Sequence, residues 1–300
     1  MTIQWETPHK NQVATAANPR LTVLRLTGFG QTGPYAGRPG FARIFEAMSG
    51  FTNLCGEQGG SPMHMNYPVG DMVAGMFGAF AIAAAVADSR RAPGQRGREI
   101  DLSATEALLR ILEPLPVEYE QLGQARERAG NLTTYAAPSN MYRTGDSVWL
   151  TVVASPDVTF RRLADAIGRP EMATSSDYCD NASRIRNLRV LDGMIAAWFA
   201  SRSYAEAAAA LERCDVPFSK IFSIADVIED PHLKAREAIV RLPDADLGTI
   251  PAPCVVPRFS GHAPLPVRTG PAIGEHNEIL FRKLGLTPEQ LQGLKAAGII

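Results

Sequence analysis

The chain has 300 residues, 45% hydrophobic and 20% charged, with 30 Lys and Arg against 31 Asp and Glu for a formal net charge of −1. That composition is globular, with apolar material for a sizeable core and length for two domains or one large domain with an insertion. The near-neutral balance supplies no basic field for nucleic acid. Cys55, Cys179, Cys214 and Cys254 are scattered without a C-x-x-C pair, which suggests neither zinc nor a disulfide scaffold and fits a reducing cytoplasm.

Met1–Asn18 is polar and lacks the apolar core of a signal peptide, so it reads as an irregular lead-in. Leu21–Leu26 is predicted as a strand that ends at a turn carrying Gly28, Gly30 and Gly33. A short helix over Phe41–Met48 and a loop over Gly56–Pro62 follow. Met72–Ala87 carries no charge and is rich in Ala and Gly. It is short for a membrane span, so a buried helix from Asp71 to about Arg91 is expected, stopped by Pro93-Gly94.

Arg98–Leu102 reads as a strand. Ser103 and Glu106 have the spacing of a capping box, opening a helix that runs to about Glu113, where Pro114 and Pro116 kink or break it. Residues 126–138 are polar and loop-like. Val148–Ala154 reads as a strand, and helices are expected at 157–167, 183–200 and 204–213. The segment 217–230 is a connection with one short helix, and Pro231 opens another. Ile239–Leu242 and Ile250–Val256 read as strands, and Glu275–Leu284 and Pro288–Ala297 as helices. Strands and helices mix throughout, so the class is α/β with a separate α-rich insertion.

The residue of most chemical interest is Asp71, in Tyr67-Pro-Val-Gly-Asp-Met-Val-Ala-Gly-Met-Phe-Gly-Ala-Phe80. A strand, a glycine turn and an acidic residue opening an apolar helix bring a carboxylate to a backbone-lined cleft, where it is placed to act as a nucleophile. Asp is equally a favoured N-cap, and spacing alone favours that structural role. The two are compatible, since the helix dipole favours the ionised form that attacks an acyl carbon.

Gly28-Phe-Gly-Gln-Thr-Gly-Pro-Tyr35, Gly70-Asp71, Arg96-Gly97, Ile100-Asp-Leu-Ser103 and Gly274-Glu-His276 stand in one order along the chain. In that order and at those distances the sequence resembles the family III CoA-transferases, which include formyl-CoA transferase, carnitine CoA-transferases and the related alpha-methylacyl-CoA racemases. The resemblance runs from residue 19 to 300 and includes Asp215-Val-Pro-Phe-Ser219, Asp230-Pro231 and Arg258-Phe-Ser-Gly261.

The resemblance implies a Rossmann-like α/β large domain formed by 19–125 and by a returning C-terminal segment, 226–300, with an inserted α-rich small domain at 126–225. It implies coenzyme A as part of an acyl-CoA substrate, a free carboxylic acid as second substrate, no metal, and an interlocked homodimer in the cytoplasm without nucleic-acid or membrane partners. Asp71 matches the nucleophile that passes CoA through an aspartyl-CoA thioester, with backbone N–H groups near Gly70 and Asp71 as oxyanion donors. The stretch matching Gly40, Phe41, Ala42 and Arg43, with Arg38 beside it, is where CoA is expected to bind, because Arg suits phosphate oxygens. Solvated surface charge is the alternative role for the two arginines.

Three departures shape the expectation. The racemases carry Gly-His-Asp where this chain has Gly40-Phe-Ala42, and Phe41 moves no proton, so transfer is favoured over racemisation. Gly130-Asn131 matches the start of a glycine loop over the substrate, but Leu132-Thr-Thr-Tyr135 lacks the glycine run. The family pattern is joined only at Asn18-Pro19, so roughly a hundred residues of the usual first half have no counterpart. A truncated inactive homologue, or a subunit that needs a partner, is therefore the competing reading.

Overall fold

The computed structural model describes residues 18–91, 94, 96–262 and 267–300. The lead-in Met1–Ala17 and the helix-stopping Pro93 lie outside the described residues. Those described fall into two compact units, one ending at Lys220 and the other beginning at Ile221.

In the first unit, strand β1 (Val23–Thr27) pairs in parallel with β2 (Glu99–Ser103), Val23 opposite Glu99 and Thr27 opposite Ser103. Parallel strands need a long crossover. Here it holds helices α1 (Ala42–Met48), α2 (Phe51–Leu54) and α3 (Val69–Arg91). Ser103 then caps α4 (Ala104–Ile111), its side chain accepting from the Glu106 N–H, and Pro114 opens a new helix, α5 (Pro114–Leu122). The prolines thus start a helix as much as they end one, because Pro in the first turn forfeits an N–H that has no intrahelical partner anyway. Phe45, Val73, Ala74, Ala104, Ala107 and Leu108 form the buried core here.

Residues 139–220 of the same unit build a second core. An antiparallel sheet in the order β3 (Ser139–Arg143), β4 (Trp149–Val153), β5 (Phe218–Lys220) packs with α6 (Asp157–Ala166), α7 (Asn181–Arg186), α8 (Leu188–Ala200) and α9 (Tyr204–Arg213). Leu150, Val152, Leu163, Leu191 and Ile195 are sealed from solvent, and Tyr142 stacks on Phe199 with ring centroids 5.0 Å apart. Burying such side chains contributes about 1.5–3 kcal/mol each. The helix expected over 183–200 is two helices, divided at Asn187, and β3 and β5 were not foreseen. All three β5 residues belong to the segment read as a connection.

The second unit contains α10 (Ile224–Glu229), α11 (Pro231–Ala235), a hairpin of β6 (Ile239–Asp244) with β7 (Gly248–Pro253), α12 (Asn277–Lys283) and α13 (Pro288–Ala296). Strands, helices and a parallel pair linked by helices make the chain α/β.

Two sequence expectations change. Helix α3 begins at Val69, so Asp71 lies in its first turn rather than capping it. The helix is also not buried. It is long and apolar enough to cross a membrane by length and composition, yet only 28% of its apolar window is covered. Its sequence is apolar on all sides, while α1, α4 and the sheet cover one side, leaving Met72, Met76 and Phe80 exposed.

Candidate active site

The site is built where α1 meets the start of α3. Phe45, one turn into α1, fills a notch that two glycines leave open. A Cβ on Gly28 would stand 2.2 Å from its ring, and one on Gly40 2.5 Å. Phe29 meets the same ring edge-on at 5.5 Å and Tyr35 meets Phe29 at 6.2 Å, so an aromatic row backs the Gly28–Tyr35 turn. The turn is nailed to β2 and α4. Its Gly28 carbonyl accepts from Thr105 Oγ1 at 2.8 Å and Ser103 Oγ at 3.2 Å, and the Asp101 carboxylate accepts from the Gln31 N–H at 3.0 and 3.1 Å. The strand after α3 therefore holds the turn after β1, which places the Gly28–Tyr35 and Ile100–Ser103 motifs in one structure.

Gly70 wedges against α1 and α4. A side chain there would begin 3.3 Å from the Ala42 carbonyl oxygen and 3.3 Å from Leu108 Cδ1. Asp71 follows it, exposed, and among the described residues its carboxylate is in no ion pair or side-chain hydrogen bond. The Gly40–Arg43 stretch and the Gly70-Asp71 step are thus adjacent through Ala42. Ala42 is buried, Phe41 is 74% exposed, and Arg43 is exposed. Arg38 lies with its guanidinium 3.7 Å above the Tyr35 ring, a cation–π contact that orients it at the surface.

Gly130 and Asn131 are exposed in the segment between α5 and β3. The Gly130 N–H donates to the Gly56 carbonyl at 2.9 Å. Arg128 braces the same loop, donating to the Gly60 carbonyl at 2.7 Å and to the Asn53 carbonyl and side chain at 3.0 Å each. This segment is tied to the 53–60 turn. No hydrogen bond or ion pair links it to Asp71 among the described residues.

Sequence reasoning missed Glu46. Its side chain is 1% exposed, and Oε1 accepts the Gly70 N–H at 3.2 Å. Oε2 is buried without a hydrogen-bond partner, and His64 Nδ1 stands 3.8 Å from it. Burial pushes the Cys55 thiol up, and the Glu46 charge adds to the shift. The signal was legible, since Ala42, Phe45 and Glu46 share the buried face of α1 at helical spacing, and a carboxylate on that face needs a partner. The Gly70 N–H, expected as an oxyanion donor, is occupied by this carboxylate. Cys55, Cys179, Cys214 and Cys254 are free thiols, and among the described residues no group of three or more His, Cys, Asp or Glu is placed to hold a metal.

The site thus holds an exposed carboxylate in the first turn of a helix, beside a glycine wedge and a turn held by the following strand. The chain belongs to CoA-transferase family III, whose family model matches residues 10–277. It is 37% identical to the succinyl-CoA–D-citramalate CoA-transferase of Chloroflexus aurantiacus over 99% of this chain and 72% of that protein. It is 36% identical to the beta subunit of succinyl-CoA–L-malate CoA-transferase of the same bacterium, over 96% and 72%. Among solved structures, a CAIB/BAIF family protein from Brucella suis superimposes with a TM-score of 0.77 at 26% identity, covering 91% of this chain and 70% of that one. The protein is thus a CoA-transferase using CoA thioesters. The family match begins inside Met1–Ala17, ahead of the Asn18-Pro19 start read from the sequence.

Proposed function

We propose that the chain moves CoA from succinyl-CoA to a short hydroxydicarboxylic acid, with Asp71 as the covalent nucleophile. The substrate class rests on the relatives named for succinyl-CoA, citramalate and malate. The nucleophile rests on one observation, the carboxylate of Asp71 in the first turn of α3, exposed and unpaired among the described residues.

An Asp71 oxygen attacks the thioester carbonyl, the C–S bond breaks, and CoA leaves as thiolate from a mixed anhydride. The thiolate attacks the Asp71 carbonyl carbon, releasing succinate and leaving an aspartyl-CoA thioester. The acceptor carboxylate attacks that carbonyl and expels CoA thiolate, which then takes the acceptor acyl group and restores Asp71. Each step exchanges a carboxylate for a thiolate and back, so neither proton donor nor oxidant is consumed. Arg38 and Arg43 are assigned to the CoA phosphates and Gly40, Phe41 and Ala42 to the wall they share, with Gly130 and Asn131 on the substrate side. Racemisation has no support, because Phe41 holds no transferable proton.

The test is Asp71→Ala. Transfer should fall by about 10⁴-fold or more, the scale for losing a covalent nucleophile, and a CoA adduct trapped from succinyl-CoA should map to the 69–80 peptide in the wild type only. Transfer at a comparable rate in the variant overturns the mechanism.

The family's interlocked homodimer in the cytoplasm is the assembly we infer, supported by the uncovered α3 face of Met72, Met76 and Phe80. Light scattering on a sizing column should give twice the chain mass, and a single monomer peak at micromolar concentration would sink the idea.

A further inference from the structure

We propose that Glu46 is the positioning residue for Asp71, acting through the Gly70 peptide. The inference rests on the reading of Asp71 as nucleophile and goes beyond it by assigning what aims the carboxylate. The first N–H groups of a helix have no intrahelical partner and are ordinarily capped by the residue just before the helix. In α3 the Gly70 N–H is instead taken by a carboxylate from α1, 24 positions earlier in the chain. This bond is sealed from water, Glu46 being 1% exposed.

Gly70 is held on three sides. Glu46 fixes its N–H, and Ala42 and Leu108 stand where a Cβ would go. The peptide that carries Asp71 consequently has one setting, and the side chain after it leaves the clamp toward solvent. The second oxygen of Glu46 shows that a carboxyl group is kept in this place at a cost. Among the described residues it has no hydrogen-bond partner, and the His64 ring at 3.8 Å, itself 39% exposed, is the counter-group that reaches it. A core position that needed only packing would not retain a half-satisfied carboxylate, because burying one is expensive.

Two substitutions separate reach from charge. Glu46→Gln keeps the length and presents an amide oxygen to the Gly70 N–H. Glu46→Asp keeps the charge and falls one carbon short of it. With succinyl-CoA and D-citramalate as substrates, Glu46→Gln should hold kcat within about threefold of wild type, while Glu46→Asp should lose about 10- to 100-fold in kcat, the cost of a misaimed reacting group. KM for succinyl-CoA should stay unchanged in both. Hydrogen exchange at the Gly70 amide should be slow in wild type and Glu46→Gln and fast in Glu46→Asp. Should Glu46→Asp not accumulate, Glu46→Thr, which is also too short, takes its place.

Wild-type kcat in the short variant overturns the inference, as does a Gln variant that falls equally far. The trapped CoA adduct keeps the two proposals apart. An adduct on Asp71 with unaltered Glu46→Asp kinetics defeats the positioning role alone. An adduct elsewhere defeats the nucleophile assignment.

Discussion

The two cores of the first unit differ in how completely they are closed. The one at 139–220 is sealed around aromatic and branched residues, and its deepest polar group, Arg184, is fully buried with each guanidinium nitrogen donating. It donates to the carbonyls of Ala137, Ser155 and Tyr178 at 2.7, 2.6 and 3.0 Å and to Asp157 at 2.6 Å, and lies over the Phe160 ring. The core around Phe45 is smaller, keeps a half-partnered Glu46, and leaves one face of α3 open. The proposed chemistry sits on the second of these. The closed core is self-sufficient scaffold, and the open one trades coverage for a reachable carboxylate and a polar clamp behind it.

The sharpest way to break that comparison is Arg184→Met. One buried and two part-buried carbonyls lose their donor at once, which should cost about 3–5 kcal/mol. Trp149 and Trp198 lie in this region, so urea unfolding followed by tryptophan fluorescence reads it directly. A shift below 1 kcal/mol would mean that water replaces the arginine and that this core is less closed than described.

A smaller effect is expected from Gly40→Ala. Its Cβ would stand 2.5 Å from the Phe45 ring, so the ring must move, at a cost of about 1–3 kcal/mol for overpacking. Because Phe45 backs α1, activity should disappear at lower urea while the tryptophan transition stays in place. Joint movement of both would show the two cores to be one cooperative unit.

The mildest effect is acid lability of the closed region. Hydrogen bonds from Thr144 and from the Tyr204 N–H hold Asp146 below its ordinary range, those from Ser183 do so for Asp180, and those from Ser203 for Glu206. A carboxyl depressed on folding stabilises above its unfolded value and loses that contribution as pH falls through the folded one. Thermal midpoints should therefore be level near neutrality and decline below about pH 4. Asp180→Asn, which still caps α7, should decline less. A midpoint that rises on acidification contradicts the assignment.

Much of this protein was determined locally. The Ser103 cap, the Tyr204–Arg213 helix behind its Ser203 capping box, the Pro231 start and the glycine turn after β1 each depend on residues a few positions apart, so sequence alone located them. The order of short motifs likewise sufficed for the family. Tertiary structure decided the rest. β3 was missed because Ser139-Asn-Met-Tyr-Arg143 has little strand character until β4 pairs with it. The burial of α3 was overestimated because a uniformly apolar helix states that it wants cover, not on how many sides it finds it. Glu46 escaped notice because its partner is contributed by another helix, and only folding brings the Gly70 N–H within hydrogen-bond reach of a carboxylate 24 residues away.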